Sequence, residues 1–391
     1  MRWQEPQDES LCAALDTVRK FCKAEVPQVY ATHESVGKFP TELVKKMADL
    51  GLMGLTIPEQ YGGMGMNTVA SSYVARELAY WWPALHLIWT ANSSLAAFPI
   101  MYAGTEEQKQ RILPKLASGE ILGCYALTEP NAGSDARSLK TMARQEFVLQ
   151  RGWTITGTKT FITNALHASA AIVFARTSPG GEIAAFVVES ESTVPGLSGG
   201  CATGKITVRY LPKHVLKSSD FCEIHFEDAW LPAWALLGRE DQGFEIAMKT
   251  LDGGRINIAA QAVGMVMWLV DEAERYCNMR EQFGRPILAN QKPQFDFTEA
   301  HARIEAAWTF TMKAAKMRDR GEDFTKAAAE AKFVATETAW LYGAKITTYF
   351  GAIAMCQETH WLPRLMDIFP TLVYEGANNI QQMVMAKHMN K

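Results

Sequence analysis

The sequence lacks any apolar run of the ~18 residues that a membrane-spanning helix requires. Its start, MRWQEPQDES, is too polar for the apolar segment of a secretory signal, and Glu5, Asp8 and Glu9 disfavour a mitochondrial transit peptide. A processed matrix protein would have the same appearance. We therefore expect no membrane span and a cytoplasmic location, with the mitochondrial matrix as the alternative for a processed eukaryotic chain.

Cysteine is scarce and follows no pattern. The 391 residues include seven cysteines, an odd number, which lie far apart at Cys12, Cys22, Cys124, Cys201, Cys222, Cys277 and Cys356. There is no CxxC pair and no cysteine and histidine spacing typical of a zinc site. The cysteines therefore predict reduced thiols and no metal site.

An excess of charge of one sign is also missing. Lys and Arg number 39 against 42 Asp and Glu, which gives a net charge of −3, and the basic residues are scattered rather than arranged in stripes. Because nucleic-acid binding normally requires a basic face, we expect no nucleic-acid partner. A hydrophobic content of 48% lets a chain of this length bury a sizeable core, and the length suggests two or three domains.

Three stretches of the chain differ in their periodicity. Residues 1–121 are helical, with apolar residues every three to four positions from Leu11 onward. Residues 122–237 contain short β-rich runs, AAIVFART, IAAFVVES and CEIHFEDAWLP, and residues 238–391 return to helical stripes such as the one that begins at Ile258. The sequence therefore predicts an α+β protein with an N-terminal helical domain, a central β-domain of barrel or sandwich type, and a C-terminal four-helix bundle.

Two strings are difficult to explain by packing alone. The first, YALTEPNAGSD from Tyr125 to Asp135, is a turn rich in Pro, Gly and small hydroxyl residues, which leaves backbone N–H groups able to face a ligand. The second, GTKTFITNA from Gly157 to Ala165, reads as a strand that places Phe161 and Thr163 on a pleated segment. An aromatic face beside a hydroxyl donor suits a flavin edge, and the first loop suits a flavin edge or a phosphate.

Both strings resemble the flavin-binding signatures of the acyl-CoA dehydrogenase family, and the resemblance extends over essentially the whole chain. PEQYGGMG (58–65), MREQFGRP (279–286) and VYEG (373–376) resemble further motifs in the family's order and at its spacings. The resemblance implies an FAD-dependent acyl-CoA dehydrogenase that forms a trans-2-enoyl-CoA and passes electrons to an electron-transferring flavoprotein. It also implies a homo-oligomer, expected to be a tetramer, because the MREQFGRP segment reaches the FAD of a neighbouring subunit.

Glu375 is the candidate catalytic base by this resemblance. Dehydrogenation next to a thioester requires a base at the α-carbon, a hydride acceptor for the β-carbon and donors for the carbonyl oxygen. Glu375 follows the apolar run 372–374, so its carboxylate is expected to lie against a dry wall that raises its pKa. Without the resemblance, it reads as a carboxylate at a helix N-terminus. In the family, the base's own N–H and a flavin ribityl hydroxyl hold the carbonyl.

The resemblance also assigns FAD contacts position by position. Thr128 and Thr163 are expected to donate to the polar edge of the flavin and Phe161 to pack on its ring, with an ordinary core aromatic as the alternative for Phe161. Arg280 and Gln282 match contacts to the pyrophosphate of a neighbour's FAD, with a solvated charge at a helix end as the alternative for Arg280. The expected FAD contacts are Tyr125, Leu127, Thr128, Gly133, Ser134, Phe161, Thr163, Arg280, Gln282, Phe283, Asn290, Gln291, Thr348, Gly351, Ala377 and Asn379.

The expected acyl-CoA contacts are Ser134, Asp252, Arg255, Tyr374 and Gly376. An ion pair between Asp252 and Arg255 is the competing interpretation of those two residues. Residues 81–99 match the region that shapes the acyl pocket in the family. The aromatic residues there favour a short, branched or aromatic acyl group over a very long one, although such rings equally suit a helix core. The region contains no Arg, which disfavours a glutaryl substrate.

The chain departs from the family pattern on the side that bridges to the neighbouring FAD. Gly351 is kept, but Ala352 and Ala354 stand where glycine is usual, Met366 where Arg is usual, and Ala377 where Thr is usual. Two other functions therefore stay open. One is an enoyl-CoA reductase, which would use the same residues in the reverse direction, and the other is a family-derived binding or assembly protein without turnover.

Overall fold

The computed structural model describes residues 3–146, 151–190, 197 and 204–389, so that Cys201 lies outside the described residues. The chain divides into two compact units. Unit one comprises residues 1–35, 67–86 and 255–391, and unit two comprises residues 36–66 and 87–254. In the part of the chain that is described, no helix has both the length and the apolar character needed to cross a membrane. The three domain boundaries given above stay a prediction.

The helices cover most of both ends of the chain. They are α1 (Glu9–Val36), α2 (Thr41–Asp49), α3 (Thr68–Trp81), α4 (Pro83–Thr90), α5 (Ala97–Ala103), α6 (Glu106–Ser118), α7 (Gly243–Met279), α8 (Gln291–Asp319), α9 (Thr325–Thr347), α10 (Trp361–Met366) and α11 (Asn378–Ala386). The strands are β1 (Leu122–Ala126), β2 (Met142–Glu146), β3 (Gly152–Ile162), β4 (Ala168–Arg176), β5 (Ile183–Glu189), β6 (Lys205–Tyr210), β7 (Cys222–Pro232), β8 (Leu236–Leu237), β9 (Glu281–Gln282) and β10 (Arg285–Pro286). The predicted order of helical, β-rich and helical stretches is confirmed.

In unit one, α8 packs on α3 and α9, and α9 packs on α10 and α11. The stripe predicted from Ile258 along α7 is buried through Ala273. At the crossing of α7 and α3 the backbones nearly touch, since a Cβ added to Gly264 would lie 2.1 Å from the carbonyl oxygen of Arg76. The C-terminal region thus has three long helices, α7 to α9, while α10 and α11 are short, so the fourth helix of the predicted bundle is only nine residues long.

Unit two is built on an eight-stranded sheet. Its strand order is β6-β7-β3-β2-β4-β5-β8, with β1 paired in parallel to β4. Buried apolar side chains cover both faces: Trp153, Ile224 and Phe226 belong to one cluster, and Ile172 and Phe174 belong to a second cluster that includes residues of α6. The sheet is therefore covered on both faces, and side chains that are not apolar must be explained individually.

The barrel alternative for the central region is wrong. The ladder begins at β6 and ends at β8, and no pairing among the described residues joins these two strands. Strand β8 is only two residues long, and its pairing among the described residues is with Ala185 and Phe186 of β5. The sheet is therefore open.

A π-helical turn, Ala91–Ala96, links α4 to α5 in unit two. Within it, the Oδ1 atom of Asn92 accepts a hydrogen bond from the N–H of Gly123 at 2.8 Å. Gly123 has no room for a side chain, because an added Cβ would lie 2.4 Å from the Cβ of Ala96. Strand β1 therefore lies directly against the π turn.

Candidate functional site

Glu375 lies in a strained turn of unit one. Its φ is +50°, and Gly376 follows with φ +91°. A positive φ is uncommon for a residue with a side chain and is usually retained only where the surroundings enforce it. The turn comes two residues before α11, whose first residue is Asn378 and whose N-cap is Ala377. Glu375 is therefore outside the first turn of α11, in contrast to the interpretation as a helix N-terminal carboxylate.

The carboxylate of Glu375 is largely removed from water. Its Oε2 atom is buried and has no hydrogen-bond partner among the described residues. Burial raises its pKa from 4.5 to about 7, against the opposing charges of Lys332 and Arg255. An unpaired carboxyl group with a pKa near neutrality is suited to general base catalysis.

A hydrogen-bond network of unit one holds this turn. The Nζ atom of Lys332 on α9 donates to the carbonyl oxygen of Gly376 at 2.9 Å and to Oδ1 of Asn378 at 2.8 Å. Gln381 donates to the same Gly376 oxygen at 2.6 Å and to the Glu375 carbonyl oxygen at 3.3 Å. Asn378 in turn donates to Oε1 of Glu337 at 2.8 Å. The backbone on the C-terminal side of Glu375 is therefore fixed by side chains from α9 and α11.

The residues before Glu375 are fixed from α7. The hydroxyl of Tyr374 donates to Oε1 of Gln261 at 2.6 Å, and burial raises the pKa of Tyr374 well above its usual value. The N–H of Tyr374 donates to the carbonyl oxygen of Pro370 at 3.0 Å. The N–H of Glu375 forms no such bond to another described residue. That N–H is consequently able to donate to a bound group.

Two sequence motifs meet in unit two. The N–H of Thr160 on β3 donates to the carbonyl oxygen of Thr128 at 2.9 Å. Beside it, Lys159 is fully buried, and its Nζ atom donates to Oε1 of Glu129 at 2.7 Å and to the carbonyl oxygen of Leu127 at 3.1 Å. Glu129 also accepts from the N–H of Thr141 at 2.9 Å. The loop after β1 is thus anchored to β3 by a buried ion pair and a backbone hydrogen bond.

Burial and charge oppose each other in this pair. Burial lowers the pKa of Lys159 to about 8, and Glu129 limits the decrease. Burial acts to raise the pKa of Glu129, but the charge and hydrogen bond of Lys159 and the N–H groups of Thr141 and Lys140 hold it below its usual value. Both groups are therefore charged near neutral pH.

Phe161 lies at an irregularity near the end of β3. The pairing of β3 with β7 shifts between Lys159 and Ile162, and Phe161 has a φ of +63°. A bulge of this kind redirects a side chain, and Phe161 is 55% exposed, where it stacks on Phe221 with ring centroids 5.0 Å apart. Phe161 is therefore not a core aromatic. Thr163 is not on the strand as expected, because β3 ends at Ile162 and Thr163 lies in the following turn.

Most of the remaining predicted flavin residues of unit two are at least partly exposed. Thr128 and Thr163 are half-buried, and neither hydroxyl bonds to another described residue. Gly133 and Ser134 are exposed, and a Cβ added to Gly133 would meet no atom within 4 Å. Leu127 is buried, and Tyr125 is half-buried against Phe174. Hydroxyl donors beside an exposed ring and an open loop form a donor set that fits a flavin.

The other predicted FAD residues belong to unit one and are mostly exposed. Arg280, Gln282 and Phe283 lie on a β-hairpin formed by β9 and β10, whose turn has φ +54° at Phe283 and +76° at Gly284. The side chain of Phe283 is completely exposed. Asn290 precedes α8, which begins at Gln291, while Thr348 and Gly351 follow α9 and Ala377 and Asn379 lie at the start of α11.

The predicted acyl-pocket region is tightly packed. Trp82 is fully buried in unit one, where its indole N–H donates to Oε2 of Glu34 at 3.0 Å. Trp89 is fully buried in unit two and donates to the carbonyl oxygen of Leu52 at 2.8 Å. These contacts favour the interpretation of both rings as helix core. Asp252 in unit two and Arg255 in unit one are buried as well.

Several residues of these clusters were not predicted from the sequence. They are Gln261, Lys332, Asn378 and Gln381 in unit one and Glu129 and Lys159 in unit two. The available signal was a lysine among mostly apolar or small residues, in AAAEAKFVA for Lys332, where Glu330 is the other charged residue, and in GTKTFI for Lys159. Among the residues in the described ranges, no group of three or more His, Cys, Asp or Glu is placed to hold a metal ion.

Known proteins match this chain over nearly its whole length. The N-terminal, middle and C-terminal domains of acyl-CoA dehydrogenases match residues 8–120, 124–229 and 241–390. An acyl-CoA dehydrogenase of Bacillus subtilis (strain 168) is 37% identical over 376 residues, 95% of this chain and 96% of that protein. The structure of butyryl-CoA dehydrogenase from Megasphaera elsdenii is similar with a TM-score of 0.93 at 32% identity, covering 100% of both chains. A chain from the structure described as the electron transferring flavoprotein of Acidaminococcus fermentans has a TM-score of 0.92 at 32% identity and covers 98% of this chain and 99% of that chain.

A flavoprotein oxidoreductase is the class that these matches and the fold define. The chain belongs to the acyl-CoA dehydrogenase family, and its cofactor is FAD.

Proposed function

We propose that this protein oxidises a short-chain acyl-CoA across its α–β bond to the trans-2-enoyl-CoA, with Glu375 as the base. The supporting observation is the buried, unpaired Oε2 atom of Glu375 in a left-handed turn, with a pKa raised to about 7. In this reaction Glu375 takes the α-proton of the substrate. Bound FAD supplies the acceptor for the hydride that leaves the β-carbon.

The chain's own residues are assigned as follows. The N–H of Glu375 donates to the thioester carbonyl, which stabilises the negative charge that develops when the α-proton leaves. Ser134, Asp252, Arg255, Tyr374 and Gly376 contact acyl-CoA. The Thr128 and Thr163 hydroxyls donate to the flavin edge, Phe161 packs beside it, and the other predicted FAD positions supply the further contacts. The butyryl-CoA dehydrogenase similarity supports a short acyl chain, and the electron transferring flavoprotein structure supports such a flavoprotein as the electron acceptor.

The test is a panel of saturated acyl-CoA thioesters, scored anaerobically by bleaching of the flavin absorbance. We expect butyryl-CoA to bleach the flavin faster than longer chains. Glu375→Gln should retain the flavin and the affinity for acyl-CoA but reduce the flavin at least ~10²-fold more slowly, because one positioned base contributes ~10²–10⁴-fold. Glu358→Gln, at an exposed position of unit one, is the matched control. A Glu375→Gln protein that keeps more than a tenth of the wild-type rate would contradict the assignment, and a colourless purified protein would favour the binding or assembly function.

A further inference from the structure

Lys332 on α9 is costly to bury where it stands. The side chain is fully buried, and its neighbours on α9, Ala328, Ala331 and Ala335, are buried alanines. A charged group moved from water to such surroundings loses several kcal/mol unless it is compensated. An apolar side chain would fill this space without that loss, so packing alone does not explain a lysine here.

The hydrogen bonds that the ammonium group of Lys332 donates all go to the turn that follows Glu375. Its Nζ atom donates to the carbonyl oxygen of Gly376 at 2.9 Å and to Oδ1 of Asn378 at 2.8 Å, the two residues that flank Ala377. No carboxylate oxygen of a described residue lies within 4.0 Å of this ammonium group, so it is not half of a close ion pair. Lys332 therefore combines a fixed position on the turn with a positive charge that no contacting anion neutralises.

We propose that Lys332 is a positioning residue for the base, whose ammonium group fixes the Glu375–Gly376 turn and supplies the nearby positive charge that keeps the Glu375 carboxylate ionised. The proposal rests on the proposed function, because it requires Glu375 to act as the base. It adds a residue that touches neither the reacting atoms nor the cofactor and acts only through Glu375.

The charged and titratable groups around the pair are few. Glu375 faces Lys332 from α9 and Arg255 from α7, and Tyr374 adjoins it in the chain. Lys332 faces Glu375, Arg255 and Glu337. Burial lowers the pKa of Lys332 to about 7, and the charge of Glu375 opposes this decrease. Each of the two charges therefore acts on the pKa of the other, so we expect a substitution of Lys332 to change the pH dependence of Glu375.

The experiment compares Lys332→Met and Lys332→Gln with the wild-type holoenzyme. The rate of flavin reduction by butyryl-CoA is measured between pH 5.5 and 9.5, within about the range where such groups titrate. Removal of an opposite charge raises a carboxyl pKa by ~1–3 units, so the midpoint of the ionisation should shift upward by at least ~1 unit. The rate near pH 7 should fall about tenfold and recover as the pH rises. Lys326→Met, an exposed position on α9, is the matched control and should leave the midpoint unchanged.

A second measurement does not use activity. Infrared difference spectra of the protein without substrate, with Glu375→Gln as the reference, report the protonated carboxyl band of Glu375 as a function of pH. Lys332→Met should shift the titration of this band in the same direction as the kinetic midpoint. A lower rate at every pH with an unshifted midpoint and an unshifted band would overturn the proposal and leave Lys332 as a fold-stabilising residue. If Glu375→Gln keeps its rate while Lys332→Met shifts the band, the proposed function fails and the coupling stands.

Discussion

At the scale of single residues, the left-handed turn at Glu375 places the Oε2 atom of a carboxyl group in a buried position, where burial disfavours its charge. Burial raises the pKa of Glu375 from 4.5 to about 7, so the folded protein favours the protonated form relative to the unfolded chain. Stability contributed by this preference is fully present below the unfolded pKa and is lost as the pH rises through about 7. Because Glu375 must be ionised to act as a base, its burial lowers the stability of the folded protein at the pH where the base is active.

The raised pKa of Glu375 predicts how its replacement changes stability at different pH. Glu375→Gln should have the same melting temperature as the wild type, or a lower one, near pH 4.5 and a higher melting temperature above pH 7. In the wild-type protein, the rate of flavin reduction should increase as the pH rises through about 7, because the base must be ionised. Activity and the stability contributed by Glu375 should therefore change in opposite directions with pH. The measurement is the melting temperature of the wild type and of Glu375→Gln across this pH range. A difference in melting temperature that does not depend on pH would contradict the claim that burial raises the pKa of Glu375.

A second prediction at this scale concerns the buried pair Lys159 and Glu129. Lys159→Met should lower the free energy of unfolding by ~3–5 kcal/mol, because it leaves the buried Glu129 carboxylate without its cation. The double variant with Glu129→Gln should recover part of this loss. Denaturant unfolding measures the effect, with the exposed Lys205→Met on β6 as the control. Equal losses for Lys159 and Lys205 would show that the ion pair does not anchor the loop.

At the scale of elements, the hairpin of β9 and β10 presents Arg280, Gln282 and Phe283 to solvent with little support from the rest of unit one. A two-stranded hairpin is marginal in water on its own, so contacts outside the described chain are expected to hold it. Arg280→Ala should lower FAD retention after dialysis at high salt, because a guanidinium contact to pyrophosphate is charge-assisted. Arg275→Ala, exposed in the last turns of α7, is the control. Full flavin occupancy of Arg280→Ala would leave Arg280 as a solvated charge.

The regular elements could be predicted from the sequence, and the irregular parts of the site could not. Strand β7 was predicted with the bounds that the structure shows, and the α7 stripe was predicted from spacing, because alternation and 3.6-residue periodicity follow directly from burial. The positive φ of Phe161 and Glu375 has no such pattern, since neither residue is glycine. The partners of Lys159 and Lys332 lie 30 and 46 residues away, at a distance that local spacing does not encode.

At the scale of the whole molecule, most of the large exposed apolar side chains belong to the C-terminal part of the chain. Phe283 is completely exposed, Met355 is 73% exposed and Leu341 is 61% exposed. We propose that these side chains contact further copies of this chain in a homo-oligomer, expected to be a tetramer. The cytoplasmic location stays a prediction as well.

The assembly proposal predicts that flavin and subunits are lost together. On dilution, FAD fluorescence should increase over the same concentration range in which the mass measured by light scattering falls to that of one chain, because each site then loses its second contributor. Phe283→Asp should move this transition to higher protein concentration. Release of FAD without any change in mass, or a single chain that holds FAD fully, would contradict the proposal.

The π turn at Ala91–Ala96 has a consequence for length variation in this chain. A π turn holds one residue more than the α-helical turn it replaces and absorbs that residue locally, so deletion of one residue here would restore regular winding and leave α5 facing the same way. Because Ala97 follows Ala96, a one-residue shift would still place a small side chain at the close approach to β1. Deletion of the half-buried Leu95 should therefore leave unit two folded, whereas deletion of one residue in the middle of α6 should rotate the following residues by about 100° and abolish folding.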